Sequence, residues 1–379
     1  MMMYYNFWIR NKFVRIILMK GKTLDGEYER HFVLSQEILE LLKRKFRQNN
    51  KFAKEILDCV KLKNFSRLEE LIFAPMVKIM KQVIEQHPEF ITAEGTFIKV
   101  WFKELGRGQI LNPGRFSAMI LLEMDMDSVI DSLFTDVSEL RSTFIHEFSH
   151  HLDHGAARID DQLESTLTLK MERGEICKNV VVLHRIFFKL RDEGLATFTE
   201  SFKMKKYVDI DWYFDNLDIF LQDISISVGR RTIKKLDAFV EDFDDLYDLG
   251  CFMVCIIILW ELFLSNKQFS AWIKVRHWFG VKGKDISVVN LPQFFDKDEI
   301  RIIFTDKSVD PIVSAKLQDL RSKSHIEFIR EYETACRYFK INDPRITLRY
   351  YSDWKKKSYI NCQKYMNKIM KKGQIPKQQ

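Results

Sequence analysis

Two histidines four residues apart enclose a carboxylate in the run His146-Glu147-Phe148-Ser149-His150. On a helix that spacing stacks both imidazoles on one face, a turn apart, where they can reach a single Zn²⁺. Glu147, beside the first of them, can then face a water on the metal as general base. The chemistry such a trio performs is metal-assisted hydrolysis, in which the cation lowers the pKa of its water and polarises the carbonyl under attack. Phe144, Ile145, Phe148 and Leu152 supply the apolar packing that fixes such a helix in a core. Imidazoles and a carboxylate buried there are costly to desolvate unless something pairs with them, and a metal ion is one answer. His151 and His154 enlarge the cluster and are expected on the exposed side of the helix. A catalytic site of this type also needs a third protein ligand, leaving the fourth position to water.

The elements that must hold these residues can be read from caps, turns and periodicity. Asp136-Val137-Ser138-Glu139 has capping-box spacing and opens the motif helix, with Gly155 as its stop. A second helix starts after Asn179 and passes through Glu193 to about Phe202. Upstream, Thr96–Phe102 and Ser117–Met124 are rich in β-branched and large apolar residues and read as strands, with Gly106-Arg107-Gly108 and Asn112-Pro113-Gly114 as turn chemistry between them. Nearer the start, Phe13–Leu18 and Tyr28–Leu34 read as two strands joined by a loop bounded by Gly21 and Gly26. Ser35 caps a helix through about Arg47, and Ser66-Arg67-Leu68-Glu69 opens one running towards His87, kinked near Pro75. Beyond Asp209 the pattern is helical: an apolar helix over 249–264, then helices near 311–322 and 325–340.

The third ligand separates two classes of zinc hydrolase. The metzincin extension needs Gly and His at fixed positions after the second histidine, where this chain has Asp153 and Ala156. The segment Arg191-Asp192-Glu193-Gly194-Leu195-Ala196-Thr197-Phe198, together with the His146–His150 motif, resembles the thermolysin-like gluzincins, over roughly residues 97–265. That resemblance implies Glu193 as the third ligand, with Gly194 and Ala196 letting the ligand-bearing helices approach. It also implies that strand 117–124 is the edge strand lining a substrate cleft, and that Tyr247-Asp248-Leu249-Gly250 opens a helix behind the site. The carboxylate expected four residues after the third ligand is replaced by Thr197, so Asp153 and Asp192 are the alternatives for orienting the zinc ligands. For the donor to the oxyanion, Tyr207, Tyr213, Tyr247 and His184 all remain open.

The expected fold is therefore α+β and mainly α: a zincin-like metallopeptidase domain with a small N-terminal sheet and additional C-terminal helices. Four regions follow: N-terminal strands and helices over 1–90, the catalytic domain over 91–270, a helical region over 271–353 and a basic tail over 354–379. One Zn²⁺ is the expected cofactor and a peptide or protein the expected substrate. Nothing like the exopeptidase Gly-x-Met-x-Asn signature precedes His146, which favours endopeptidase action. Two other readings stay beside it: a catalytically inactive metallopeptidase-like binding protein, and a regulatory protease acting on a repressor-type partner, for which no helix-turn-helix is found.

Composition limits the remaining classes. The net charge of +7 is concentrated at one end: eight lysines and no acid lie beyond Trp354, which leaves the rest of the chain at −1. No nucleic-acid partner is expected from so neutral a body. Six cysteines without a Cys-x-x-Cys pair fit a reducing compartment rather than a disulfide framework. The longest apolar run near the start, Ile16–Met19, is too short for a signal-peptide core, and 249–264 is shorter than the roughly 20 residues a spanning helix needs. A cytoplasmic location is expected; a membrane could be met only through 249–264 or the Lys-rich tail.

Overall fold

A computed structural model describes residues 3–19, 22–23, 26–27, 34–103, 119–152, 154–173, 178–205, 245–265 and 307–338. They are mostly helical, with one small four-stranded sheet. The chain separates into two compact units, Met1–His154 and Gly155–Gln379.

The first unit is built on the sheet. Strands β1 (Tyr4–Ile9) and β2 (Lys12–Leu18) form an antiparallel hairpin. Its two turn residues, Arg10 (φ 46°) and Asn11 (φ 67°), both sit in the left-handed region. That is the geometry of the tight primed turn whose twist matches the strands it joins. Two further strands, Lys22–Thr23 (β3) and Gly26–Glu27 (β4), pair with each other inside the segment expected as a Gly-bounded loop. Residues 28–33, expected to pair with β2, lie outside the described residues. β2 instead runs parallel to β5 (Gly95–Lys103), which runs parallel to β6 (Met119–Asp125), in the order β1-β2-β5-β6. Register puts Val14, Ile16 and Leu18 beside Thr96, Ile98 and Val100, and the last two beside Ile120 and Leu122; all are buried. Each fully buried Ile or Leu among them adds about 1.5–3 kcal/mol to stability.

Helices cover that inner face. α1 (Gln36–Arg47) is capped by Ser35, as expected: its Oγ accepts from Ile38 N at 3.3 Å. Its backbone N–H donates to Asp127 Oδ2 at 2.9 Å, tying α1 to α4 (Met126–Phe134). α2 (Lys51–Lys61) follows, then α3 (Phe65–Gln86), which runs through Pro75 as one element. The cap of α3 is Asn64, whose Oδ1 accepts from Arg67 N at 3.1 Å, and not Ser66. The left-handed Lys63 (φ 52°) closes α2 and delivers Asn64 to that position. Phe73 of α3 meets Tyr5 of β1 at 5.7 Å between ring centroids.

In the second unit α6 (His154–Glu172) precedes α7 (Lys178–Met204), α8 (Asp245–Ser265), α9 (Asp310–Ser322) and α10 (His325–Tyr338). α8 is the expected apolar helix. Every residue from Cys251 to Leu259 is buried, and it packs against α7, α9 and α10. Among the described residues no helix is long and apolar enough to cross a membrane. α7 and α8 touch through backbone at one point. A Cβ on Gly194 would stand 2.4 Å from the carbonyl carbon of Gly250, and a Cβ on Gly250 2.2 Å from the carbonyl oxygen of Leu190. Only glycine fits at either position.

The fully buried Arg191 donates to the carbonyl of Arg321 at 3.0 Å, placing a cation at the C-terminal end of α9 where the helix dipole favours it. Arg321 in turn donates to Thr199 Oγ1 at 2.6 Å. α10 opens with a capping box: Ser324 N and Oγ both donate to Glu327 Oε2 at 3.0 Å.

Candidate metal centre

The motif lies on α5 (Val137–His151). Asp136 starts this helix as expected, its Oδ1 accepting from Ser138 N at 2.8 Å. Leu140, Phe144 and Phe148 run down the buried side, with the Phe148 ring 5.8 Å from Phe90 and 6.1 Å from Phe144. Arg141 donates to Gln82 Oε1 at 2.9 Å and ties α5 to α3. The helix ends at His151 with Leu152 as its C-cap, and α6 begins at His154. Gly155 is therefore inside a new helix and not the stop.

Fixed on the other face, His146 and His150 are half-buried, with their Nε2 atoms 3.2 Å apart and ring planes at 76°. Two nitrogens bound at about 2.0–2.1 Å to one tetrahedral ion lie roughly 3.3 Å apart. The ring nitrogens thus stand at a separation compatible with a shared metal ion, and also within hydrogen-bond distance of one another. Glu193, on α7 and buried, completes a group in which one ligand atom from each of the three residues lies within 4.8 Å of the others. Two imidazole nitrogens and a carboxylate oxygen are a donor set suited to a divalent metal, and they leave a tetrahedral ion one open position. This His146/His150/Glu193 group can hold a metal ion, and it is the only such group among the described residues.

Glu147, between the two histidines in sequence, is also buried at 9% exposure. His151 is buried at 8%, against the expectation of an exposed residue. It falls three residues after Phe148, on the α5 face that carries Phe144 and Phe148, which is the reason. Asp153 and the side chain of His154 lie outside the described residues, as do Tyr207 and Tyr213. Asp192 is half-buried on α7 and is not part of the three-residue group.

The remaining oxyanion candidates are placed as follows. His184 is nine residues before Glu193 on α7, about 13 Å along the helix axis. It is buried edge-on against His325 at 4.6 Å between centroids. Tyr247 is half-buried, with Lys189 Nζ 5.9 Å from its ring centroid.

Gly194 proves to serve a different contact from the one expected. Its backbone meets Gly250 of α8, so the residue next to Glu193 is held against a second helix. Both glycines stand in segments that carry the resemblance, Gly194 beside Glu193 and Gly250 at the start of the apolar helix, but their mutual contact is not legible in sequence. Cys251 and Cys255, also four apart on a helix, are buried and in no disulfide, and burial pushes the Cys255 thiol well above its ordinary range. They belong to the core. β6 ends the sheet and, among the described residues, pairs with β5 alone. Comparisons of the chain with protein-family models, with curated proteins and with solved structures find no match.

Proposed function

We propose that this chain is a zinc-dependent peptidase with a zincin-like catalytic domain, acting as an endopeptidase on peptide or protein substrates. The observation that carries the reading is the convergence of His146, His150 and Glu193 ligand atoms within 4.8 Å, with Glu147 beside the first of them. When bound, zinc supplies Lewis acidity, making its water acidic near neutral pH and polarising the scissile carbonyl. Glu147 takes the proton of the attacking water and passes it to the leaving amine. Its burial keeps competing solvent from that carboxylate. An extended substrate lies along the outer edge of β6, held by main-chain hydrogen bonds.

The experiment is proteolysis of a panel of unfolded proteins by zinc-loaded wild type beside Glu147→Gln. The expected result is cleavage by wild type, and retained zinc with at least a hundredfold slower cleavage in the variant, the low end of what general-base catalysis supplies. Equal cleavage by both would overturn the mechanism. Zinc binding with no cleavage by either would favour a partner-binding role for the same site.

A further inference from the structure

Several helical hydroxyls among the described residues bond back to their own helix, and the buried hydroxyl of Thr197 does not. Thr143, Ser149, Thr166, Thr199 and Thr334 each donate to the backbone carbonyl four residues earlier, at 2.6–3.0 Å. Thr197, in the same helix as Thr199, does not. Its Oγ1 is out of reach of solvent and has no hydrogen-bond partner. A buried hydroxyl in that state is destabilising, and bonding to the carbonyl four residues earlier is the usual way a helical threonine avoids it.

Thr197 stands one turn after Glu193 on the same face of α7. Helical side chains lean back towards the N-terminus, so the Thr197 side chain lies over the turn that carries Glu193. Oγ1 of a threonine can donate one hydrogen bond, and a carboxylate that gives one oxygen to a metal has its other oxygen available to accept. Carboxylates and imidazoles on metals are characteristically held by such outer partners.

We infer that Thr197 is a positioning residue: its hydroxyl donates to the Glu193 carboxylate in the metal-bound state and fixes that ligand's orientation. The inference rests on the metal centre proposed above. It assigns the outer shell to Thr197 on α7 in place of the acids Asp153 and Asp192. It also states what the unsatisfied hydroxyl is for: a bond absent from the metal-free protein and made on loading.

The test uses the full-length, metal-free chain, titrated with Zn²⁺ against a chromophoric chelator, together with its thermal midpoint without metal. Thr197→Val keeps the shape and removes the hydroxyl; Thr197→Ser keeps the hydroxyl. In Thr197→Val we expect zinc affinity to fall about tenfold, the low end for loss of an outer-shell partner. The metal-free midpoint should equal or exceed that of wild type, because an unsatisfied polar group has gone. Thr197→Ser should bind zinc within about threefold of wild type. Unchanged affinity in Thr197→Val overturns the inference. So does a lowered metal-free midpoint accompanying the affinity loss, which would mark Thr197 as packing alone. Wild type that binds no zinc at all sinks the metal centre itself, a result distinct from either.

Discussion

Gly250→Ala perturbs the protein at the crossing of α7 and α8, where α7 contributes the neighbour of Glu193 in sequence but no proposed ligand atom. The new methyl would stand 2.2 Å from the carbonyl oxygen of Leu190, 2.8 Å from Gly194 Cα and 2.9 Å from Gly194 N. All three are backbone atoms, so no side chain can swing aside. Restoring an ordinary carbon–oxygen contact needs the helices to part by about 1 Å. Overpacking of that kind costs about 3 kcal/mol, the upper end of the usual range, because the clash is with main chain. Alanine's better helix propensity returns about 1 kcal/mol. A net loss of about 2 kcal/mol follows. Urea unfolding of the metal-free chain measures it, with Gly95→Ala as the control: a Cβ there meets nothing within 4 Å, and its midpoint should not fall. Because Gly194 adjoins Glu193, Gly250→Ala should also weaken zinc binding although it touches no ligand. An unchanged urea midpoint in Gly250→Ala would falsify the helix contact, and the account of why glycine follows Glu193 would go with it.

Two other consequences are open to simple measurement. Lys316 is buried and pairs with Glu331 at 2.7 Å and Asp319 at 3.0 Å; desolvation opposes its charge, yet its hydrogen bonding as donor to these acids raises its pKa above 10.5. Asp319, also paired with Lys323, has its pKa lowered below 3.8 by both lysines in spite of partial burial. The lysine's contribution is present below pH 10.5 and is lost as pH rises through its folded value; the aspartate's is present above pH 3.8 and is lost as pH falls through its folded value. Stability from this cluster should therefore be flat between about pH 5 and 10. Lys316→Met should remove the alkaline flank of the melting-temperature profile and shrink the acid one, which Lys323 still supports, and an unaltered profile would show that the cluster carries no linkage. At the start of α3, Asn64→Ala should cost about 1 kcal/mol in unfolding experiments, as loss of an N-cap does, while Ser66→Ala costs clearly less; the reverse order would return the cap to Ser66.

Local chemistry made some of this legible and withheld the rest. Asp136, Ser35 and the apolar run at 249–264 announce themselves because caps and burial patterns act over a few residues. The cap of α3 is ambiguous in sequence because Ser66 and Asn64 both carry cap chemistry, and only the left-handed turn at Lys63 decides for Asn64. β1 is hidden in sequence because its turn, Arg10-Asn11, contains no glycine although both residues are left-handed. Strand order could not be read at all: β2 pairs with β5 across more than seventy residues, which no local pattern encodes. At the site, His146, Glu147 and His150 follow from helical spacing alone. Glu193 came only from resemblance, since nothing in a 3.6-residue period reaches from one helix to another. Gly250 and the Thr197 hydroxyl needed coordinates, because each is defined by what surrounds it.

Metal content of the purified full-length chain tests the central claim most directly, measured by elemental analysis after dialysis for wild type and Glu193→Ala. The account predicts about one zinc per wild-type chain, and loss of that zinc in the variant with its helical content intact. Full zinc occupancy in Glu193→Ala, or none in wild type, would contradict it.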